Sequence, residues 1–178
     1  NTFRGQFFGN YAGENFTSDN CGSAGIGQPC TRSNLSGSKT FNANNTLTNV
    51  DEVQKIWDTN IAIGGPILKD RLWFHYTFRH WGSEKTKADS YFDSNPSQFV
   101  YAPDFTKPGI DDGHIVSNAA RISWAASTKD KISMYHDNQR KYRDHWGIAS
   151  TIPPAAAGVQ VTPTSFVNVT KWTRTHTS

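Results

Sequence analysis

The residues best equipped for chemistry are six histidines, fifteen acidic side chains and two cysteines, and their spacing argues against catalysis. Two His/Asp neighbours stand out, His136-Asp137 and Asp144-His145. A nucleophile–base or acid–base pair must converge on one point, whereas adjacent residues of a strand point to opposite faces. Neither pair forms a dyad within a strand, and no GxSxG, HExxH or Gly-rich phosphate loop occurs. The sequence therefore predicts a protein that is not an enzyme, with no cofactor and no metal. The tripeptides His80-Trp81-Gly82 and His145-Trp146-Gly147 repeat one pattern. Trp81 and Trp146 are read as interfacial aromatics, amphipathic rings suited to the headgroup level of a bilayer, each followed by a Gly where the chain turns away. Cys21 and Cys30 lie close together in a polar stretch, where a disulfide would suit an exported protein.

The composition narrows the classes further. Mean hydropathy is −0.63, and no run of eighteen apolar residues exists, so the sequence contains no helical membrane span. A transmembrane strand alternates apolar and polar side chains and is not excluded by that average. Net charge is +3 and the basic residues are scattered, without the dense stripe that follows phosphates, so nucleic acid is not expected as a partner. Aromatics reach 13% and concentrate in a few short segments, as in strands and interfacial positions. Neither end reads as a natural terminus: Asn1 opens almost directly into strand-like text and Trp172–Ser178 stops inside a β-like run. A fragment is the expectation.

Six segments alternate as strands do. In Thr2–Tyr11, Phe3, Phe7 and Tyr11 oppose Arg4, Gln6 and Asn10. In Lys55–Gly64, Trp57, Ile61 and Ile63 oppose Asp58 and Asn60. Arg71–Trp81 is the clearest, with Leu72, Phe74, Tyr76 and Phe78 against His75 and Arg79. Asn118–Ala126 sets Ile122 and Trp124 against Arg121, and Lys131–Gln139 sets Ile132 and Met134 against Asp137. Phe166–Thr177 is rich in Thr and Val, without a clear facing. The connections are predicted to run long, short, long, short, long: a polar stretch after the first strand, a tight turn at Gly64–Asp70, another polar excursion, a turn at Ser127–Asp130, and a final excursion from Arg140 to Ser165. In an up-and-down meander alternate connections leave the same side, so all long ones share a rim. The fold class predicted is all-β, an antiparallel meander forming part of a transmembrane barrel with long extracellular loops and short periplasmic turns.

Several strings resemble the TonB-dependent receptor family, Oar-like members in particular. Asn1-Thr-Phe-Arg-Gly5 resembles the junction between plug and first barrel strand. Gly64-Gly-Pro-Ile-Leu-Lys-Asp-Arg-Leu-Trp-Phe74 resembles the first periplasmic turn and the strand after it, which Phe78-Arg-His-Trp-Gly82 continues. Ala120-Arg-Ile-Ser-Trp124 with Thr128-Lys-Asp-Lys-Ile132 resembles the next hairpin. The resemblance implies a plugged barrel of about twenty-two strands in the bacterial outer membrane, importing a large solute with energy from the inner-membrane TonB complex. Residues 1–178 would supply about its first six strands, without the plug. The implied partners are outer-membrane lipid, the protein's own plug and remaining strands, the TonB complex and an unknown solute.

In that reading Arg4, Gln6, Asp58, Asn60, His75, Arg79, Arg121 and Asp137 face the lumen, where packing against a plug is a more frequent role than ligand contact. The alternative is a soluble exported β-sandwich that binds glycans or acts as an adhesin, because one-sided alternation also suits a sandwich core.

Overall fold

Antiparallel pairing between consecutive segments builds the whole structure. The computed structural model describes residues 2–16 and 51–176; Cys21 and Cys30 lie outside them. Six strands follow one another as β1 (Arg4–Gly13), β2 (Val53–Leu68), β3 (Leu72–Asp93), β4 (Pro103–Ala125), β5 (Asp130–Trp146) and β6 (Gly158–Arg174). They lie side by side in chain order in one antiparallel sheet. The sheet is not closed: β1 pairs only with β2, and β6 only with β5. No second sheet occurs among the described residues, so the two layers of a sandwich are not found there.

The order of short and long connections follows the expected alternation, but the strands are much longer than expected. The segments 69–71 and 126–129 close one end, while 14–52, 94–102 and 147–157 leave the other. Most of the excursion between the third and fourth predicted strands is itself β-structure, since Glu84 pairs with Asp112 and Lys85 with Asp111. The excursion after Arg140 is likewise strand as far as Trp146 and again from Gly158. Hydrophobic alternation marks a strand only where one face is apolar. A hairpin solvated on both faces forms the same backbone ladder without that signature.

The predicted turn at Gly64–Asp70 also shifts. Gly64, Gly65 and Pro66 continue β2, and the reversal falls on Lys69, Asp70 and Arg71, where Arg71 N–H donates to Leu68 C=O at 3.1 Å and Asp70 has φ 60°. Pro66 is tolerated because β1 begins at Arg4, opposite Gly64; beyond it β2 has no neighbour on that side to receive an N–H. The β4–β5 turn is held by the Ser127 hydroxyl. It accepts from the N–H groups of Lys129 and Asp130 at 3.1 and 3.0 Å and donates to the Asp130 carboxylate at 2.8 Å.

Two glycines seat aromatic rings, one from the residue just before β1 and one from β2. A Cβ on Gly65 would lie 2.3 Å from the Phe3 ring. One on Gly82 would meet Trp57 at 2.5 Å and the Gly113 carbonyl oxygen at 2.6 Å. Gly82 is thus not at a turn; it sits within β3 and lets Trp57 lie flat across the sheet.

Very little is buried among the described residues. The large buried apolar side chains, Tyr91 and Ile148, belong to a small cluster at the end with the long connections, where Ser90 is 1% exposed. There the 147–157 connection folds over the tall β3–β4 hairpin: a Cβ on Gly109 would strike Ile148, Ser90 Oγ and Pro154. Lower down, apolar side chains stand on an uncovered surface, with Phe7 71% exposed and Met134 55%.

Adding a side chain at Gly82 should displace Trp57 and push against β4. We expect Gly82→Val to cost about 1–3 kcal/mol in unfolding free energy, against near-neutrality at exposed Gly147→Asn, whose φ of +84° asparagine tolerates. Asp51 ties the start of β2 to β3, accepting from the Ala88 N–H at 2.7 Å and Lys87 Nζ at 2.9 Å. Partial burial raises its carboxyl pKa, but those two partners outweigh that and hold it below the ordinary 3.8. A depressed carboxyl stabilises fully above its ordinary value and loses that contribution as pH falls through the folded one. Asp51→Asn should therefore cost under about 1 kcal/mol near neutral pH, and pH-dependent unfolding should show the difference vanish in acid.

Candidate functional site

Directly paired residues of an antiparallel sheet present their side chains on the same face. The register therefore decides which predicted site residues share one. Arg4 pairs with Gly64, Gln6 with Ala62, Asn60 with Arg79 and Asp58 with Trp81; Gly64 in turn pairs with His75, His75 with Arg121, and Ala119 with both Thr77 and Asp137. All eight candidates, Arg4, Gln6, Asp58, Asn60, His75, Arg79, Arg121 and Asp137, consequently lie on one face.

The structure joins some of them and leaves others apart. Arg79 makes a two-pronged ion pair with Asp58, at 2.9 Å from Nε and 2.6 Å from a terminal nitrogen, and its guanidinium lies 4.5 Å from the Trp81 ring. Asp137 accepts from Ser117 Oγ and Gln139 Nε2, both at 2.9 Å. Arg121 lies over the Tyr135 ring at 5.4 Å. Arg4 and Gln6 sit on the first strand beside Gly64 and Ala62, away from the ion pair. Ser117, Gln139 and Tyr135 were not among the predicted residues. Gln139 and Tyr135 were legible as the neighbours two positions from Asp137, whereas Ser117 needed the β4–β5 register.

The two interfacial tryptophans part company. Trp81 shares the charged face with Asp58 and Arg79, and it lies inside β3 rather than beyond a strand end. The strand end expected just before Trp81 lies farther on, because β3 continues to Asp93. Trp146 does end its strand, 52% exposed, with Gly147 turning the chain.

The opposite face carries Phe7, Ile61, Phe78 and, one pair below, Ile63 and Tyr76. Its apolar stretch reaches Phe78 on β3, Ala120 on β4 and Met134 on β5; beyond these stand Asn118, His136 and Asn138. Tyr76 donates to Asn118 at 2.7 Å, and the His136 ring lies 2.6 Å from the Asn168 amide oxygen. Trp124 and Trp172 mark the lower end, with the Trp172 indole N–H donating to Asp130 at 3.1 Å. At the upper end an open cleft of about 530 Å³ is walled by Trp57, His80, His114 and Tyr142. Consecutive rings meet at 5.8, 5.4 and 4.9 Å, the last pair stacked.

The His/Asp neighbours do not converge. Asp137 bonds on the charged face while His136 meets Asn168 on the other; His145 pairs with Asp112 at 3.1 Å instead of Asp144. Among the described residues, no group of three or more His, Cys, Asp or Glu side chains is placed to hold a metal, and no helix is long and apolar enough to cross a membrane. No protein-family model, curated protein or solved structure matches the chain.

The Asp58–Arg79 pair, with side chains 23% and 45% exposed, stands in water if the charged face is solvated. A double-mutant cycle with Asp58→Asn and Arg79→Gln should then give a coupling of about 0.5–1 kcal/mol. Coupling well above that in denaturant unfolding would mean that the face is dry.

Proposed function

We propose that this chain is a β-barrel segment of an outer-membrane transporter of the TonB-dependent receptor type. The observation that carries the proposal is a sheet with one apolar face that no second layer covers among the described residues. A soluble domain buries such a face under a second layer, and each large apolar side chain left in water forgoes roughly 1.5–3 kcal/mol. Lipid is the covering that needs no second layer.

The dimensions support this reading. On β3, Leu72 at the lower end and Gly82, the partner of Trp57, are ten residues apart. At about 3.3 Å per residue and a tilt near 40°, that segment rises about 25 Å, the height of the apolar band of outer-membrane barrels. Within this interval β1–β3 place no Asp, Glu, Lys or Arg on the apolar face. The indole of Trp172, apolar ring on the sheet and N–H on a polar turn, suits the lower interface. Short turns close one end, and the water-type core around Tyr91 and Ile148 lies at the other.

In this reading the charged face lines the lumen. Arg79–Asp58 and Asp137 with its Ser117 and Gln139 partners brace the wall, and a plug domain packs against them. The free edges of β1 and β6 join the remaining strands, because an open edge in hydrocarbon leaves N–H and C=O groups unsatisfied at several kcal/mol each. The transported solute is one too large for porins, and the work comes from an inner-membrane TonB complex through the plug. The string Gly64–Phe74, resembling the family's first turn and strand, adds the family to the class.

Cysteine accessibility tests the proposal. With Cys21 and Cys30 replaced by Ser, full-length protein carrying Phe78→Cys should resist a water-soluble maleimide in intact membranes, while Phe105→Cys, 73% exposed at the end with the long connections, should react. Equal labelling at both positions, or full-length protein recovered from the soluble fraction without detergent, would reject it.

A further inference from the structure

The cleft at the upper limit of the apolar stretch plays no part in carrying a solute, and its chemistry is that of a saccharide site. We propose that it binds a neutral or amino pyranose. Its volume of about 530 Å³ lies in the range of small-molecule sites. A pyranose offers one apolar C–H face and a rim of hydroxyls that both donate and accept. The wall running from Trp57 through His80 and His114 to Tyr142 supplies the apolar contact.

The rim supplies the polar groups, and hydrogen-bond accounting shows which are available. The Trp57 indole N–H donates to His80 at 3.4 Å, Glu84 is held by Lys55 at 2.7 Å, and Asp112 is taken by His145. Among the described residues, the Tyr142 hydroxyl, the His114 ring nitrogens and the Asp144 carboxylate engage no hydrogen-bond partner, and all three residues line the cleft. Tyr142 can donate and accept, neutral His114 does one of each, and Asp144 accepts. That set matches the mixed demands of sugar hydroxyls. Charge selects among sugars. Glu84, Asp112 and Asp144 face a single ammonium, that of Lys55, so the cleft repels phosphorylated or acidic sugars and favours an amine.

The cleft is lined by side chains of β1–β5 at the level of the Trp57–Gly82 pair, the upper limit of the apolar band, so the site requires the covering of that face to stop there; labelling at Phe78 reports on the membrane reading and sugar contact on this site, and the two can fail separately. Saturation-transfer NMR on the full-length protein, purified in mild detergent, tests it with three probes: a β-1,4-linked glucosamine disaccharide, cellobiose and glucose 6-phosphate. Transfer to ring protons of the disaccharides, strongest for glucosamine, and none to the phosphate is the expected result. Asp144→Asn, a near-isosteric change at an exposed position, should weaken the glucosamine disaccharide about fivefold to tenfold. Tyr142→Phe should weaken both disaccharides, and Trp172→Phe at the far end should weaken neither. Absence of transfer to both disaccharides, affinities indifferent to Asp144→Asn and Tyr142→Phe, or preferential binding of glucose 6-phosphate would each overturn the assignment.

Discussion

A lone antiparallel sheet satisfies its backbone from strand to strand, and that ladder is the interaction on which everything else in this chain rests. Consecutive strands exchange N–H and C=O bonds from β1 to β6 without a crossover, and no packed interior is needed to hold the order. The same arrangement leaves two faces and two edges unsatisfied. Water can cover the charged face. It covers the side bearing Phe7, Ile61 and Phe78 only at a hydrophobic cost, which is why the covering of that face governs every statement about function.

Two regimes of stabilisation coexist along the strands. Toward the end with the long connections, Ser90, Tyr91, Gly109, Ile148 and Pro154 pack as a small core of the water-soluble kind, and Asp51 with Lys87 adds a surface tie. Below it, side chains meet mainly their cross-strand neighbours on the same face: Phe3 over Gly65, Trp57 over Gly82, Arg79 with Asp58. Cross-strand pairs of this kind contribute about 0.2–1 kcal/mol each. They specify register far more than they stabilise, so the lower sheet needs a surrounding medium to complete it.

The glycines illustrate how register and composition interlock. Gly65 and Gly82 weaken a strand by themselves, yet each admits a ring that a Cβ would exclude. Trp57 thereby reaches His80, and the line of rings continues through His114 to Tyr142. The cleft thus depends on a residue that contributes no side chain to it.

Much of this was legible in the residues themselves. Alternation in Arg71–Trp81 defines a strand and its two faces, because a period of two admits no other assignment once one face is apolar. Short turns at two places and long connections at three followed from where that alternation lapses. What alternation does not encode is the extent of β3 and β4 past Gly82 and Gly113, where both faces are polar and only the ladder maintains the strand. Nor does it say which strand neighbours meet. Trp81 shares the side of His75 and Arg79 by alternation alone, but only the register sets it beside Asp58. The sequence by itself determined the face each side chain takes within its own strand, a property of local backbone geometry. The tertiary structure alone decided register between strands, and with it the Arg79–Asp58 pair, the Asp137 network and the aromatic cleft. Each of these joins residues distant in the chain, and a one-residue slip would turn them to opposite sides of the sheet.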